Sequence, residues 1–354
     1  MIPLFKVTMD ATRALKNLEE VLPSGYIGQG AWVDRFEEAL AAFLKVEPWQ
    51  VVTVNSGTSA IQLALALYEV RAEDHVLCSS ITCMSDAHTI LNMGAEIVWS
   101  DADPRTGLME WPKWFPALSA VLVTDLGGMT PIPEKVREYR VPLIQDAAQN
   151  FGGVMYGDIV CYSFQAIKQL TTGDGGCLIL KDKDLADKAR LMRWFGLDRK
   201  TSADFRSAQN IKVPGFKFHM TDIDAAIGLA NLPMVPMVLR GAKDNARFYQ
   251  ERLPKEILIP WQETGTYWSY MVLLEDRKGF MDFMAEKGVH TSPVQSIGTK
   301  HDLFPKTPLP GAEWYGARNV AIPNGWWVSH EERQYIVDAV IEWCRIERAG
   351  TDAI

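Results

Sequence analysis

The sequence predicts an α/β protein: a mostly parallel, doubly wound sheet followed by a smaller α+β unit. Three observations predict this. From residue 51 to residue 196, short β-branched or apolar runs alternate with amphipathic helical stretches, the pattern of strands joined by crossover helices. After residue 200 the alternation gives way to longer helical stretches with two strand-like runs among them. The length, 354 residues, exceeds what one small core holds. The expected division is residues 1–240 for the large unit, with its N-terminal helical segment, and 241–354 for the small one.

Each element has a local reason. Residues 11–22 (ATRALKNLEEVL) and 32–45 (WVDRFEEALAAFLK) place apolar residues at helical spacing around the glycine-rich connection PSGYIGQGA. VVTVN (51–55) reads as a buried strand and SAIQLALALYEV (59–70) as a helix. HVLCS (75–79) is a strand, and SDAHTILNMG (85–94) a helix stopped by Gly94. EIVWSD (96–101) and AVLVTD (120–125) are strands, and IPEKVREY (132–139) is a helix. PLIQDA (142–147), IVCYSF (159–164) and GCLILK (176–181) are strands, and DLADKARLMRWFG (184–196) is a helix. TDIDAAIGLANL (221–232) starts a helix capped by Thr221 or Asp222; Pro233 and Pro236 interrupt or kink it before VLRGAKDNARFYQERL (238–253). YWSYMVLLED (267–276) and VHTSPV (289–294) read as strands, and KGFMDFMAEKG (278–288) and HEERQYIVDAVIEWCRIE (330–347) as helices.

Composition narrows the function. Hydrophobic residues make up 47% and charged residues 23%, as in ordinary globular proteins. The net charge is −8, the pI about 5.4, and no block of five basic residues occurs, which argues against nucleic-acid and membrane-surface partners. The opening MIPLFKVTMD has no long apolar stretch of the signal-peptide kind, and no run of eighteen apolar residues occurs. The five cysteines (78, 83, 161, 177 and 344) form no C-x-x-C pair and no zinc spacing, as expected of reduced thiols in a cytoplasmic protein.

Ligands of such sheets sit beyond the carboxyl ends of the strands, which directs attention to three stretches. In NSGTSA, Ser56, Gly57, Thr58 and Ser59 lie between a strand and a helix. A helix N-terminus there would bind an anion such as phosphate; read alone, the stretch is also a plain helix cap. The order of a P-loop is absent, and GYIGQG lacks the dinucleotide fingerprint. In QDAAQNFGG, Asp146 follows the apolar strand VPLI. A carboxylate at a strand end needs a cationic or N–H partner; it could hold a protonated ring nitrogen, cap a helix or join an ion pair. In YSFQAIKQLTTGDGG, Lys168 stands between an apolar strand and a glycine loop. Burial would lower its basicity and leave a nucleophile for a carbonyl carbon, although a solvated loop lysine fits the stretch alone. Taken together, a phosphate cradle, an acid for a pyridine nitrogen and a lysine for an aldehyde are the parts that hold pyridoxal 5′-phosphate.

These stretches resemble the DegT/DnrJ/EryC1/StrS family of sugar aminotransferases, which have the aspartate-aminotransferase fold (type I). The likeness runs from about Val21 to the last helix through SGYIGQGAWVDRFEEALAAFL, NSGTSAIQLAL, GAEIVWSDADPRTG, IQDAAQNFGG, YSFQAIKQLTTGDGG, RWFGLDR, GFKFHMTDIDAAIGLANL and VAIPNGW. It implies that Lys168 is the Schiff-base lysine, Asp146 the partner of the pyridine nitrogen and Gln149 the residue packed against the ring. By the same likeness Ser163 binds the phosphate, as do the backbones at Gly57 and Thr58 beside Ser56. Cys83 stands where many relatives stack an aromatic residue on the ring. Lys217 stands where many send an asparagine from the partner subunit to the phosphate, and Asp125 where relatives often carry a histidine. TSPVQSIGTKHDLF loosely resembles the substrate-proximal segment. The implied reaction is transfer of an amino group from glutamate to a nucleotide-linked keto-sugar, a 4-keto-6-deoxyhexose, in amino-sugar and polysaccharide biosynthesis, by a homodimer with active sites at its interface. The retained lysine argues against the family's dehydratase branch. A cofactor-binding regulator and a non-catalytic scaffold are the rival readings.

Overall fold

The computed structural model describes residues 1–112, 115–131, 140–199 and 209–351. The helix expected at 132–139 lies outside the described residues. In chain order the elements are α1 (Ala11–Val21), α2 (Ala31–Leu44), β1 (Val51–Val54), α3 (Gly57–Leu67), β2 (His75–Ser79), β3 (Ile81–Thr82), α4 (Met84–Asn92), β4 (Glu96–Ser100), β5 (Ala120–Thr124), β6 (Leu143–Asp146), β7 (Ile159–Ser163), β8 (Gly176–Leu180) and α5 (Lys183–Met192). Then come α6 (Asp222–Asn231), α7 (Val235–Arg252), β9 (Tyr270–Leu273), α8 (Arg277–Glu286), β10 (Ser296–Ile297), α9 (Pro310–Arg318), β11 (Asn319–Ile322) and α10 (His330–Thr351).

Seven strands form the main sheet in the order β1-β8-β7-β6-β5-β2-β4. β8 is antiparallel to β1 and β7; the remaining pairs are parallel. Strands β1, β5, β6, β7 and β8 are buried along their whole length, which is why they read as continuous apolar runs rather than alternating ones. Side chains still alternate between the two faces. Val52, Val54, Leu122, Ile144, Ile159 and Cys161 share one core with α3, α4 and α5. Val51, Val160, Tyr162 and Cys177 pack on the other face against Phe36 and Leu40 of α2 and Ala225 of α6. Because β1 has the direction of β7, the carboxyl ends of β1, β5, β6 and β7 lie along one edge of the sheet.

Thr221 caps α6 in a reciprocal box with Asp224, which decides between the two caps the sequence offered. α1 lies on α6, tied by Asn17 Nδ2 to Ala226 O (2.9 Å) and by the Asp10 N–H to Asn231 Oδ1 (2.8 Å). A 3-10 turn at Leu232–Met234, with Pro233 inside it, separates α6 from α7, and α7 then runs unbroken across residue 240. Among the described residues this run, Asp222–Arg252, is the one helical stretch long and apolar enough to cross a bilayer; 50% of its apolar window is buried within the protein.

One expectation needs correction. VHTSPV is not a strand: Val289 and Ser292 each make a single bridge, to Ile2 and Ala321. Pro293 has no N–H to continue a ladder. β9 instead pairs antiparallel with β11, and α9 precedes β11; neither α9 nor β11 was expected. Asp101, in the acidic turn after β4, accepts from the N–H groups of Ala312 (2.8 Å) and Gly311 (3.1 Å) and so anchors the start of α9.

Candidate active site

Asp146 is the last residue of β6 and is 2% exposed. Its parity puts it on the α3/α4 face with Ile144. One carboxylate oxygen accepts from the Ala148 N–H at 2.9 Å. Burial pushes the carboxyl up, while the Ala148 N–H and the Lys168 charge pull the other way. A cationic ring nitrogen would add a further charge favouring the ionised form.

Ser163 ends β7 with the same parity and reaches the start of α3. A β-carbon on Gly57 would lie 2.7 Å from Ser163 Cβ and 3.2 Å from its Cα. Only hydrogen fits there, so the N-terminus of α3 presses against the end of β7. Ser56 caps α3, its Oγ accepting from the Ser59 N–H at 3.0 Å and standing 2.9 Å from Ser59 Oγ. Gly57 and the exposed Thr58 are the first two helical residues, whose N–H groups have no acceptor within the helix. Two hydroxyls, two backbone donors and the positive end of a helix form a cradle suited to phosphate. The expected cofactor therefore has a matching donor set.

Lys168 sits in the loop between β7 and β8. Its N–H donates to Gln165 O (2.9 Å) in a turn, and the Phe164 N–H donates to Gly175 O (2.8 Å) as the loop closes. Gly176 answers why a glycine stretch follows the lysine: a β-carbon there would meet Tyr162 O at 2.6 Å and Ser56 C at 2.7 Å. The returning strand must pass that close to the cradle. Gln169 Nε2 pins the loop to Gln149 O at 2.8 Å. Lys168 is half-buried, and its Nζ lies over the Trp268 ring, 4.2 Å from the centroid. Burial lowers its basicity; Asp146 and the Cys83 thiol act in the opposite sense.

The other expected residues fall as follows. Cys83 is exposed at the head of α4, close enough to act on Lys168. Gln149 is buried, its Oε1 accepting from the Gly127 N–H at 2.7 Å. Lys217 is exposed, with its Nζ 3.6 Å from the Trp194 ring centroid. The segment around Lys217 runs beside the cradle of its own chain, since the Asn55 N–H donates to Phe218 O at 2.7 Å. Asp125 has the opposite parity to Asp146. Its carboxylate accepts from Gln145 Nε2 (2.7 Å), Asn150 Nδ2 (2.8 Å) and the Tyr156 hydroxyl (2.8 Å). It serves a buried network behind the sheet, where burial, against those three donors, holds it up at about 7.

Sequence reasoning missed three features. Trp268 touches Lys168 from a hundred residues away in the chain, and no local motif signals it. Asp86, in the first turn of α4, is fully buried and accepts from Thr82 Oγ1 (2.6 Å) and Thr124 Oγ1 (2.9 Å). Glu37, in the run read as a plain amphipathic helix, forms a buried ion pair with Arg193 at 2.5 Å.

The chain matches the DegT/DnrJ/EryC1/StrS aminotransferase family over residues 9–341. It is 32% identical over 310 residues to dTDP-4-dehydro-2,3,6-trideoxy-D-glucose 4-aminotransferase of Saccharopolyspora spinosa, covering 79% of this chain and 80% of the relative. The crystal structure of AtS13 from Actinomadura melliaura superposes with a TM-score of 0.90 at 36% identity, over 96% of this chain and 98% of that one. Sugar aminotransferase CalS13 from Micromonospora echinospora gives 0.90 at 32% identity, over 96% and 99%. With this agreement in sequence, fold and donor set, the chain belongs to the DegT/DnrJ/EryC1/StrS aminotransferase family, whose enzymes depend on pyridoxal 5′-phosphate.

Proposed function

We propose that the chain transfers an amino group from glutamate to a nucleotide-linked keto-sugar, a 4-keto-6-deoxyhexose, with pyridoxal 5′-phosphate as cofactor. The observation that carries this reading is the meeting of Lys168, Asp146 and the Ser56–Thr58/Ser163 cradle along one sheet edge, supplied by the ends of β1, β6 and β7 and the loops that follow them. The 32% identical relative named for a dTDP-4-dehydro-sugar supports the substrate class.

When bound, pyridoxal phosphate supplies an aldehyde for the amino group and a ring that accepts electrons. The residues of the chain do the rest. The cradle binds the phosphate and fixes the ring's position. Asp146 would face the ring nitrogen and, ionised beside that cation, would keep the proton on it. Lys168 takes a proton from the donor's α-carbon and returns one to the carbon that receives the nitrogen. Only a neutral amine can take the first proton, the ammonium so formed is what returns it, and burial moves the basicity of the amine in the direction the first step requires. By the family likeness, Cys83 and Gln149 would pack against the cofactor's ring.

We further propose a homodimer in which Lys217 reaches the phosphate of the partner subunit, a cytoplasmic location, and the division 1–240 and 241–354 with α7 as the connecting helix. Incubating the purified chain and cofactor with glutamate and a panel of dTDP- and GDP-linked keto-sugars tests the function through keto-acid release. Release with at least one sugar, abolished by Lys168→Ala, is expected. Normal transamination by Lys168→Ala would refute the assignment.

A further inference from the structure

The indole of Trp268 contacts the lysine loop twice. Its Nε1–H donates to Ile167 O at 2.9 Å, holding the backbone one residue before Lys168. Its ring lies under the Lys168 amine, 4.2 Å away. The indole is itself held: Trp268 is 8% exposed and stacks on Phe5 at 4.8 Å, with 21° between the ring planes. Phe5 belongs to an N-terminal strap anchored where Trp327 Nε1 donates to Pro3 O (3.0 Å) and where Trp326 Nε1 donates to Thr8 Oγ1. Among the described residues, the charged or titratable groups that act on the amine are Asp146, at the end of β6, and the Cys83 thiol at the head of α4. The amine also lies over the aromatic face of Trp268, which attracts an ammonium through its quadrupole.

We propose that Trp268 is a positioning residue for Lys168, setting the backbone before it and giving its amine a resting place whenever that amine is not bonded to cofactor. An amine displaced from the cofactor has up to four rotatable bonds with which to wander. Two contacts from one rigid indole keep it where it must collect and return a proton. The indole face also favours the protonated amine, against the effect of burial, so it tunes how readily the proton is exchanged. The strap makes the arrangement depend on residues 1–8, far in sequence from the other site residues. This inference rests on the proposed role of Lys168.

The test uses the full chain freed of cofactor. Acetylation of Lys168 by acetic anhydride is followed against pH by mass spectrometry of the peptide that contains it, in the parent, Trp268→Phe and Trp268→Leu. Trp268→Leu removes the aromatic face and is expected to lower the midpoint by about half a unit, and Trp268→Phe to restore most of it. In the cofactor-loaded chain, return of the lysine–cofactor absorbance after a single turnover should slow several-fold in Trp268→Leu and recover in Trp268→Phe. Trp268→Met, bulky but without a π face, serves if the leucine variant does not fold. An unmoved midpoint in a folded variant would overturn the proposal. So would a rise, because the indole would then be only a plug against water. If Lys168→Ala retains the lysine–cofactor absorbance, the assignment of Lys168 fails instead.

Discussion

Gly57→Ala sets two physical effects against each other at the cradle. Gly57 is the first residue of α3, and its backbone conformation is open to any residue. By helix propensity and unfolded-chain entropy, alanine there should stabilise by up to about 1 kcal/mol. The structure reverses the sign. The new β-carbon would lie 2.7 Å from Ser163 Cβ and 3.2 Å from its Cα, where carbon contacts favour roughly 3.5–4.0 Å. Ser163 is 8% exposed at the end of a central strand and cannot retreat alone. Overpacking of this kind costs about 1–3 kcal/mol, leaving a net loss on the order of 1 kcal/mol. Relief requires α3 to move away from β7, which opens the cradle, so cofactor affinity should fall about tenfold. Gly28→Ala is the control, because nothing lies within 4 Å of its added carbon. Thermal unfolding of both variants, with cofactor titration by absorbance, decides. A Gly57→Ala protein as stable as Gly28→Ala, with parental cofactor affinity, would refute the reasoning.

Two more predictions concern buried charge. Arg193→Met should destabilise the protein by about 3–5 kcal/mol, because Glu37, 8% exposed, keeps the Thr53 N–H and hydroxyl but loses its cation. Burial pushes Glu37 up, and Arg193 with Thr53 outweighs it and holds the carboxyl below its ordinary value. The pair therefore stabilises above the ordinary carboxylate range and loses that effect as pH falls through the folded-state value. The gap between parent and variant should narrow in acid, and the double variant Glu37→Leu/Arg193→Met should recover much of the loss; equal gaps at pH 4 and pH 7 in thermal melts would contradict this. Asp125 is the opposite case, raised to about 7 by burial. Its folded form holds a proton that the unfolded chain releases near 4, so its contribution falls as pH rises from about 4 to 7. Asp125→Asn lacks this dependence, and its deficit relative to the parent should shrink between pH 5 and 8; a deficit constant across that range would count against the burial argument.

Local chemistry determined much of this protein from the sequence alone. Strands β1, β5, β6, β7 and β8 are buried along their whole length and so read as apolar runs, and Ser56, Asp146, Ser163 and Lys168 lie at the ends of three of these strands or in the loops that follow them. The cap at Ser56, Asp146 at the end of β6 and Lys168 before its glycine loop were legible because they depend on immediate neighbours. What only the tertiary structure decided depends on distance and parity. Asp125 and Asp146 each come at or just after a strand end, yet one-residue alternation sends them to opposite faces, so only Asp146 enters the site. Trp268 under Lys168, Gly57 against Ser163, Gly176 against Ser56 and Glu37 on Arg193 join residues that no local pattern connects. Burial sets the protonation of the site, and burial exists only once the sheet, its helices and the N-terminal strap have closed around it.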